Sequence, residues 1–156
     1  MEIERKFLVD AAPGQSMLGA GDRLRQGYVA EEGDVSVRVR IGSSGAVLTV
    51  KAGRGLSRTE VELALTAEQA EALWPHTEGR RIEKTRYRIE LTGPTGPVAE
   101  LDSYAGSLDG LHTVEVEFGS VAAAEGFVAP AWFGRELTGD GAWTNASLAR
   151  KGRPAG

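Results

Sequence analysis

Val35-Ser36-Val37-Arg38-Val39-Arg40-Ile41 is the stretch that decides the fold, because aliphatic and polar side chains alternate through all of it. Alternate side chains of a β-strand lie on the same face. One face of this segment would therefore be wholly aliphatic, and the other would carry Arg38 and Arg40. The same period of two predicts strands over most of the chain, at residues 2–9, 22–31, 35–41, 46–51, 58–65, 81–91, 98–104 and 113–118.

Short connections separate these strands. Clusters of Gly, Ser, Pro and Asp lie at residues 32–34, 42–45 and 93–97, and such clusters form tight turns. Eight strands joined mainly by hairpins predict an antiparallel sheet that closes on itself.

Two segments break the alternation and predict short helices. Residues 66–74 begin with Thr66, a good N-cap, carry Gln69 three residues later and stop at Pro75. The second helix is expected at residues 145–151. The expected fold is therefore α+β: one domain over residues 1–156, built as an eight-stranded, mostly antiparallel closed β-barrel with a few short helices.

The composition excludes several classes of protein. The chain has 156 residues, 41% hydrophobic and 26% charged, which is ordinary for one globular domain. No apolar run is long enough to cross a bilayer, and the first residues, Met-Glu-Ile-Glu, do not resemble a secretory signal. We therefore expect a cytoplasmic protein without a membrane partner. The net charge of −4 gives no reason to bind nucleic acid.

The residue types also restrict the kind of metal site. The chain contains no Cys and only two His. The absence of Cys excludes disulfides and thiolate sites, and two His are too few for an imidazole-rich zinc site. Any bound metal must be held by oxygen ligands, which favours Mg²⁺, Mn²⁺ or Ca²⁺.

The polar faces of the strands carry charges, and the strands segregate by the sign of that charge. Adjacent like charges are unfavourable on a solvated strand unless a counter-ion or ligand holds them. If these faces point inward, they line a wet tunnel with acidic and basic walls. Amphipathic strands with their charges in solvent would show the same alternation, so any single strand leaves that alternative open. The acidic pairs are Glu2 and Glu4, Glu60 and Glu62, Glu100 and Asp102, and Glu115 and Glu117; the basic rows are Arg38 and Arg40, and Lys84, Arg86 and Arg88.

Opposed charged walls need ligands of both signs, because burying this many charges alone would cost too much free energy. Paired carboxylates bind a hard divalent cation, and rows of Arg and Lys bind phosphate oxygens. A linear phosphate chain carrying Mg²⁺ satisfies both walls at once. Glycine-rich phosphate-binding motifs are absent from the sequence, so side chains must do the binding.

Glu2-Ile3-Glu4-Arg5-Lys6-Phe7-Leu8 resembles the Glu-x-Glu-x-Lys signature of the CYTH family, also called triphosphate tunnel metalloenzymes. This motif alone is weak, but further matching segments follow in order and span nearly the whole chain. They are Arg25-Gln26-Gly27-Tyr28, Val37-Arg38-Val39-Arg40, Leu48-Thr49-Val50-Lys51, Glu60-Val61-Glu62, Ile82-Glu83-Lys84-Thr85-Arg86-Tyr87, Glu100-Leu101-Asp102, Val114-Glu115-Val116-Glu117 and Thr138-Gly139-Asp140.

The resemblance implies an eight-stranded barrel tunnel that holds a divalent metal, Mg²⁺ or Mn²⁺, and a triphosphate. It leaves open whether one metal or two are bound. On the metal-binding side it places Glu2, Glu4, Glu60, Glu62, Asp102, Glu115 and Glu117. On the phosphate-binding side it places Lys6, Arg38, Arg40, Lys51, Lys84 and Arg86.

Among the activities of this family, the sequence favours metal-dependent hydrolysis of inorganic tripolyphosphate, with Lys84 or Lys6 deprotonating or orienting the attacking water. Adenylyl cyclase activity is disfavoured, because neither His is followed by Phe and because Ser36 stands where the cyclase pattern has Glu. Thiamine triphosphatase activity and non-catalytic binding of a nucleotide or polyphosphate are the remaining alternatives.

Several further points stay open at this level. Tyr28 fits either the tunnel or the barrel wall, and Arg58 and Arg88 fit the tunnel mouth rather than the site. Phosphate contact by Arg150 or Lys151 is undecided. The oligomeric state is also open, with a homodimer as one candidate.

Overall fold

The computed structural model describes residues 1–14 and 16–155 as eight strands and three short α-helices. The strands are β1 (Glu2–Leu8), β2 (Asp22–Glu32), β3 (Val35–Gly42), β4 (Gly45–Ala52), β5 (Ser57–Leu65), β6 (Arg81–Glu90), β7 (Val98–Tyr104) and β8 (His112–Glu117). The helices are α1 (Ala67–Leu73), α2 (Val121–Gly126) and α3 (Asn145–Lys151).

The strands form a closed barrel in the order β1-β5-β4-β3-β2-β6-β7-β8, with β8 pairing back to β1. All eight pairings are antiparallel. The predicted fold class is confirmed. In the part of the chain that the structure describes, no helix has the length and apolar character needed to cross a membrane.

The helices differ from expectation at two places. α1 ends at Leu73, and the chain then continues as a 3₁₀ turn, Trp74–Thr77, that carries Pro75 near its start. Pro75 lacks an N–H but fits the first turn of a helix, so it begins this turn instead of ending all helical structure. α2 was not predicted, because its six residues are too few to show a helical period.

The alternation of β3 places its charges inside the barrel and its aliphatic side chains outside. Arg38 is buried towards the interior, and Val39 is fully buried on the other face. The main apolar core therefore lies between the outer surface of the barrel and the segments wrapped around it. It contains Phe7, Val9, Leu18, Ile89, Ala99, Leu101, Val114, Val116 and Phe133.

The capping box at the start of α1 gives a prediction for stability. The Thr66 hydroxyl accepts a hydrogen bond from the Gln69 N–H, and the Gln69 side chain accepts one from the Thr66 N–H. Replacing Thr66 with Ala removes the side-chain acceptor of the Gln69 N–H. We expect a loss of about 1 kcal/mol in the free energy of unfolding, measured by urea denaturation, with hydrolytic activity unchanged because Thr66 is remote from the tunnel. An unchanged free energy of unfolding would show that the box contributes nothing.

Candidate active site

The barrel contains two neighbouring cavities. The larger, here called the wide chamber, has a volume of about 680 Å³, and the smaller, the narrow chamber, about 170 Å³. The two chambers share acidic and basic lining residues, so they lie side by side and are together called the tunnel. The shared residues are Glu4, Arg38, Lys51, Glu115 and Asn145.

The narrow chamber is lined by charged side chains with the single exception of Asn145. Seven of these are glutamates and four are basic, so the chamber is acidic overall. The full lining is Glu2, Glu4, Arg38, Arg40, Lys51, Glu60, Glu62, Arg86, Glu100, Glu115, Glu117 and Asn145.

The register of β1, β7 and β8 brings carboxylates directly opposite one another. Glu4 faces Glu117 across the β1–β8 pairing, and Glu100 faces Glu115 across the β7–β8 pairing. Like charges placed opposite each other destabilise a sheet. Burial, followed by the charge of Glu115, raises the pKa of Glu4 to about 8. These carboxylates therefore lie where a further positive charge would be stabilising.

Two basic side chains hold the carboxylates of β1 in place. The Lys51 ammonium lies 3.2 Å from carboxylate oxygens of both Glu2 and Glu60. The Arg58 guanidinium contacts the carboxylates of Glu2, at 3.3 Å, and of Glu4. Burial, followed by a hydrogen bond with Glu60, nevertheless raises the pKa of Glu2 to about 7. The positive charge available from the protein only partly balances this acidic cluster.

The basic wall has hydrogen-bond donors without protein acceptors. Arg38 is buried, and its Nε has no hydrogen-bond partner among the described residues. The Nε of Arg40 donates to the side-chain oxygen of Gln26 over 2.9 Å. Burial, followed by the charges of Arg38 and Arg86, lowers the pKa of Arg40 to about 10. An anion bound between Arg38 and Arg40 would satisfy the free donor and offset the repulsion.

Asp102 accepts hydrogen bonds from two basic side chains on β6. One of its oxygens accepts from Lys84 at 2.7 Å, and Arg86 donates to both oxygens at 2.8 and 2.9 Å. The side chains of Lys84 and Asp102 are completely inaccessible. Burial alone would raise the pKa of Asp102, but the charges of Arg86 and Lys84 outweigh it and lower the pKa to about 2. This geometry favours a role for Asp102 in orienting Arg86.

A substitution of Asp102 tests that role. Asp102→Asn removes the charge that balances Lys84 and Arg86 but keeps the shape of the side chain. We expect a loss of about 2 kcal/mol in the free energy of unfolding, since hydrogen bonds to charged groups contribute about 1.5–3 kcal/mol. Urea denaturation with and without Mn²⁺ checks this. If stability is retained and metal-induced stabilisation is lost, Asp102 is instead a direct metal ligand.

Lys6 lies between the acidic wall and the C-terminal segment. Its ammonium donates to the backbone carbonyl of Trp143 over 2.8 Å and lies 3.7 Å from Glu115. Burial lowers the pKa of Lys6, although the charge of Glu115 opposes the shift. Lys6 lines the wide chamber, so its nitrogen can meet a ligand there.

The wide chamber is completed by segments beyond the barrel strands. Residues 137–147 and 150–155 form one side, and the β2–β3 and β4–β5 connections form the other. Arg150 on α3 bridges to Glu31 on β2 at 3.2 Å, which ties the helix to the barrel rim. Tyr28 and Lys151 also line this chamber. The basic residues here are Lys6, Arg38, Lys51, Arg54, Arg58, Arg150, Lys151 and Arg153.

The structure brings most of the predicted site residues together. Ten of the thirteen line the narrow chamber, and Lys6 lines the wide one. Lys84 and Asp102 are not among the lining residues of either chamber; they are fully buried and contact each other, and Asp102 also contacts Arg86. The ten are Glu2, Glu4, Arg38, Arg40, Lys51, Glu60, Glu62, Arg86, Glu115 and Glu117.

Residues outside the predicted site also line the tunnel, among them Glu100, which belongs to one of the expected inward acidic pairs, Arg58, which was expected at the tunnel mouth, and Asn145. Arg58 shares the inward face of β5 with Glu60 and Glu62, and Glu100 shares the face of Asp102, so the period of two contained the signal for both. Asn145 reaches the tunnel because α3 packs over the barrel, and the alternation of the strands does not extend to that segment. Arg88 is 67% exposed at the rim, where it pairs with Glu100.

The kind of donor in the narrow chamber suits Mg²⁺ or Mn²⁺, since both prefer carboxylate oxygens. Within residues 1–14 and 16–155, however, no three acidic or histidine side chains converge into a metal site. Mg²⁺ is commonly held by one or two carboxylates plus the phosphates of its substrate. The side chains fit a cation that completes its coordination with substrate oxygens.

Fold and site together define a tunnel barrel whose inner wall suits a divalent cation and a phosphate chain. No family model matches the chain. The inorganic triphosphatase of Nitrosomonas europaea is 46% identical over 149 residues, which cover 95% of this chain and 96% of that protein. The inorganic triphosphatase of Acetivibrio thermocellus is 37% identical over 151 residues, with 96% and 93% covered.

A solved structure agrees with these relatives. The crystal structure of the inorganic triphosphatase NE1496 superposes with a TM-score of 0.70 at 41% identity, covering 99% of this chain and 97% of that one. The chain therefore belongs to the family of these inorganic triphosphatases, a CYTH-like family.

Proposed function

We propose that this chain is a CYTH triphosphatase that hydrolyses inorganic tripolyphosphate in its tunnel with the help of Mg²⁺ or Mn²⁺. The observation that carries the proposal is the meeting of an acidic and a basic wall in one closed barrel, with the free Nε of Arg38 facing the interior. The activity named for the relatives supports it, because identity extends over nearly the whole chain.

Substrate binding would depend on the basic wall. Arg38 and Arg40 present planar guanidinium groups to phosphate oxygens, and Lys51 presents a point charge from the neighbouring strand. Asp102 holds Arg86 rigidly for the same purpose. The carboxylates of Glu2, Glu4, Glu60, Glu62, Glu115 and Glu117 would hold the divalent cation, which neutralises charge on the transferring phosphoryl group.

The hydrolytic step needs a water in line with the bond that breaks. Its oxygen forms a bond to the terminal phosphorus while the bridging P–O bond breaks, giving orthophosphate and pyrophosphate. A base must accept a proton from that water and therefore has to contact the ligand. Lys6 lines the wide chamber, whereas Lys84 is inaccessible and paired with Asp102. Lys6 can accept this proton only as the free amine, a form that burial favours by lowering its pKa. With that condition the geometry favours Lys6 for this role, and Lys84 for positioning.

The experiment that tests this function is a substrate panel. Purified protein is incubated with tripolyphosphate, thiamine triphosphate and ATP, each with Mg²⁺ or Mn²⁺, and released phosphate and cyclic nucleotide are measured. We expect metal-dependent phosphate release that is fastest with tripolyphosphate. Preference for thiamine triphosphate, production of cyclic AMP, or tight binding without turnover would each replace the proposal with the corresponding alternative.

A further inference from the structure

Arg58 occupies the part of the acidic wall that a metal would need. It lies on the inward face of β5, two residues before Glu60, and its side chain is only 18% exposed. Its terminal nitrogen contacts the carboxylates of both Glu2 and Glu4. Two of the hard oxygen donors of the tunnel are therefore already engaged by a positive charge from the protein itself.

A second observation concerns the arrangement of the glutamate side chains that line the narrow chamber. Seven glutamates line the narrow chamber, yet no three of them converge into a metal site in the described residues. Glu2 and Glu4 are instead arranged around cations of the protein: Arg58 contacts both carboxylates, and the Lys51 ammonium also lies 3.2 Å from Glu2. A metal ion that binds to Glu2 and Glu4 would therefore have to replace Arg58 as their partner.

Arg58 also lies beside the residues that are expected to bind phosphate, so it has a second possible binding partner. It lines the wide chamber together with Lys6, Arg38 and Lys51, which are the residues expected to meet phosphate. Its Nε is buried and, within residues 1–14 and 16–155, has no hydrogen-bond partner. A guanidinium displaced from Glu2 and Glu4 can therefore bind a phosphate oxygen without leaving the tunnel wall.

We propose that Arg58 is a displaceable internal counter-ion: it neutralises Glu2 and Glu4 in the free protein and releases them to the divalent cation when a triphosphate enters. Metal and triphosphate would then bind cooperatively, because the phosphate offers Arg58 a new partner at the moment it leaves the carboxylates. Arg58 is a positioning residue in this scheme. The inference rests on the proposed function for the identity of its two ligands, and its test needs no turnover.

The test measures Mn²⁺ binding by electron paramagnetic resonance, alone and with a tripolyphosphate analogue whose bridging oxygens are replaced by NH groups. In the wild type, we expect weak Mn²⁺ binding alone and at least tenfold tighter binding with the analogue. In Arg58→Gln, Mn²⁺ alone should bind at least about tenfold tighter than in the wild type, and the analogue should add less. Arg23→Gln, which removes the same charge from an exposed position on β2, should match the wild type.

Several results would overturn the proposal. Equal or weaker Mn²⁺ binding by folded Arg58→Gln, with the wild type still binding metal and analogue, would contradict it and leave the proposed function intact. Absence of Mn²⁺ binding under all conditions would remove both. If Arg58→Gln does not fold, Arg58→Met, which also removes the charge, takes its place and is read in the same way: tighter binding of Mn²⁺ alone supports the proposal, and equal or weaker binding contradicts it.

Discussion

Replacing Arg38 with Ala is expected to abolish productive triphosphate binding while leaving the barrel folded. Arg38 lines both chambers, and its Nε has no partner in the part of the chain that the structure describes, so its hydrogen-bonding capacity is available for a ligand. Loss of a charge-assisted contact of this type costs about 2–5 kcal/mol. At 1.4 kcal/mol per factor of ten, kcat/KM for tripolyphosphate should fall by between about 30-fold and several thousandfold.

The melting temperature distinguishes this role from a structural one. Arg38 lies two residues from Arg40 on the same face and contributes to lowering the pKa of that guanidinium. Its removal relieves repulsion, so the ligand-free variant should melt no lower than the wild type. Arg88→Ala, which changes the same residue type at the exposed rim, serves as the matched control. An unfolded Arg38→Ala protein whose remaining folded fraction is fully active would show that the arginine is structural.

The barrel and its charged interior could be predicted from the sequence because one rule governs both. Strand alternation decides which face each side chain takes, and the aliphatic row around Val37 and Val39 leaves no choice about which face of β3 packs. Closure then places the opposite faces of all eight strands on one surface. The aliphatic side chains on the outside of the barrel are less completely buried than the pattern predicts, since Val61 and Leu63 on β5 are about half exposed.

The alternation could not predict which inward-facing side chains are exposed in the tunnel and which are buried in its wall. Alternation places Lys84 and Asp102 on the inward face. It does not predict that these two side chains form a fully buried ion pair and are not exposed in either chamber. The wide chamber was also missed, because the chain from Leu137 onwards lines it through packing of α3 on the barrel. Tertiary contacts of this kind have no local sequence pattern.

The acidic wall gives the second prediction of large effect. Glu4 lies near the N-terminus, where residues are usually dispensable, yet it is buried in β1 opposite Glu117 and contacts Arg58. Glu4→Gln preserves the shape of the side chain and removes one charge. We expect it to abolish metal-dependent hydrolysis, a loss of at least about a hundredfold, since removing one well-placed electrostatic group costs about 10²–10³ in rate.

Stability should respond in the opposite direction from activity. Burial and the charge of Glu115 raise the pKa of Glu4, which means that its ionised form is unfavourable in the folded protein without metal. A neutral amide at this position should therefore leave the melting temperature of the metal-free protein unchanged or raise it. A ligand that binds only the native state stabilises it, so the same variant should gain less stability from Mg²⁺ than the wild type gains.

Paired melting curves with and without Mg²⁺, measured beside phosphate release for the wild type and Glu4→Gln, check both expectations. Glu71→Gln, on α1 and exposed to solvent, removes the same charge far from the tunnel and should behave as the wild type. Metal-dependent hydrolysis retained in Glu4→Gln would exclude Glu4 from metal binding. Loss of activity together with a sharply lower metal-free melting temperature would show instead that the ion pair of Glu4 with Arg58 holds β1 in the barrel.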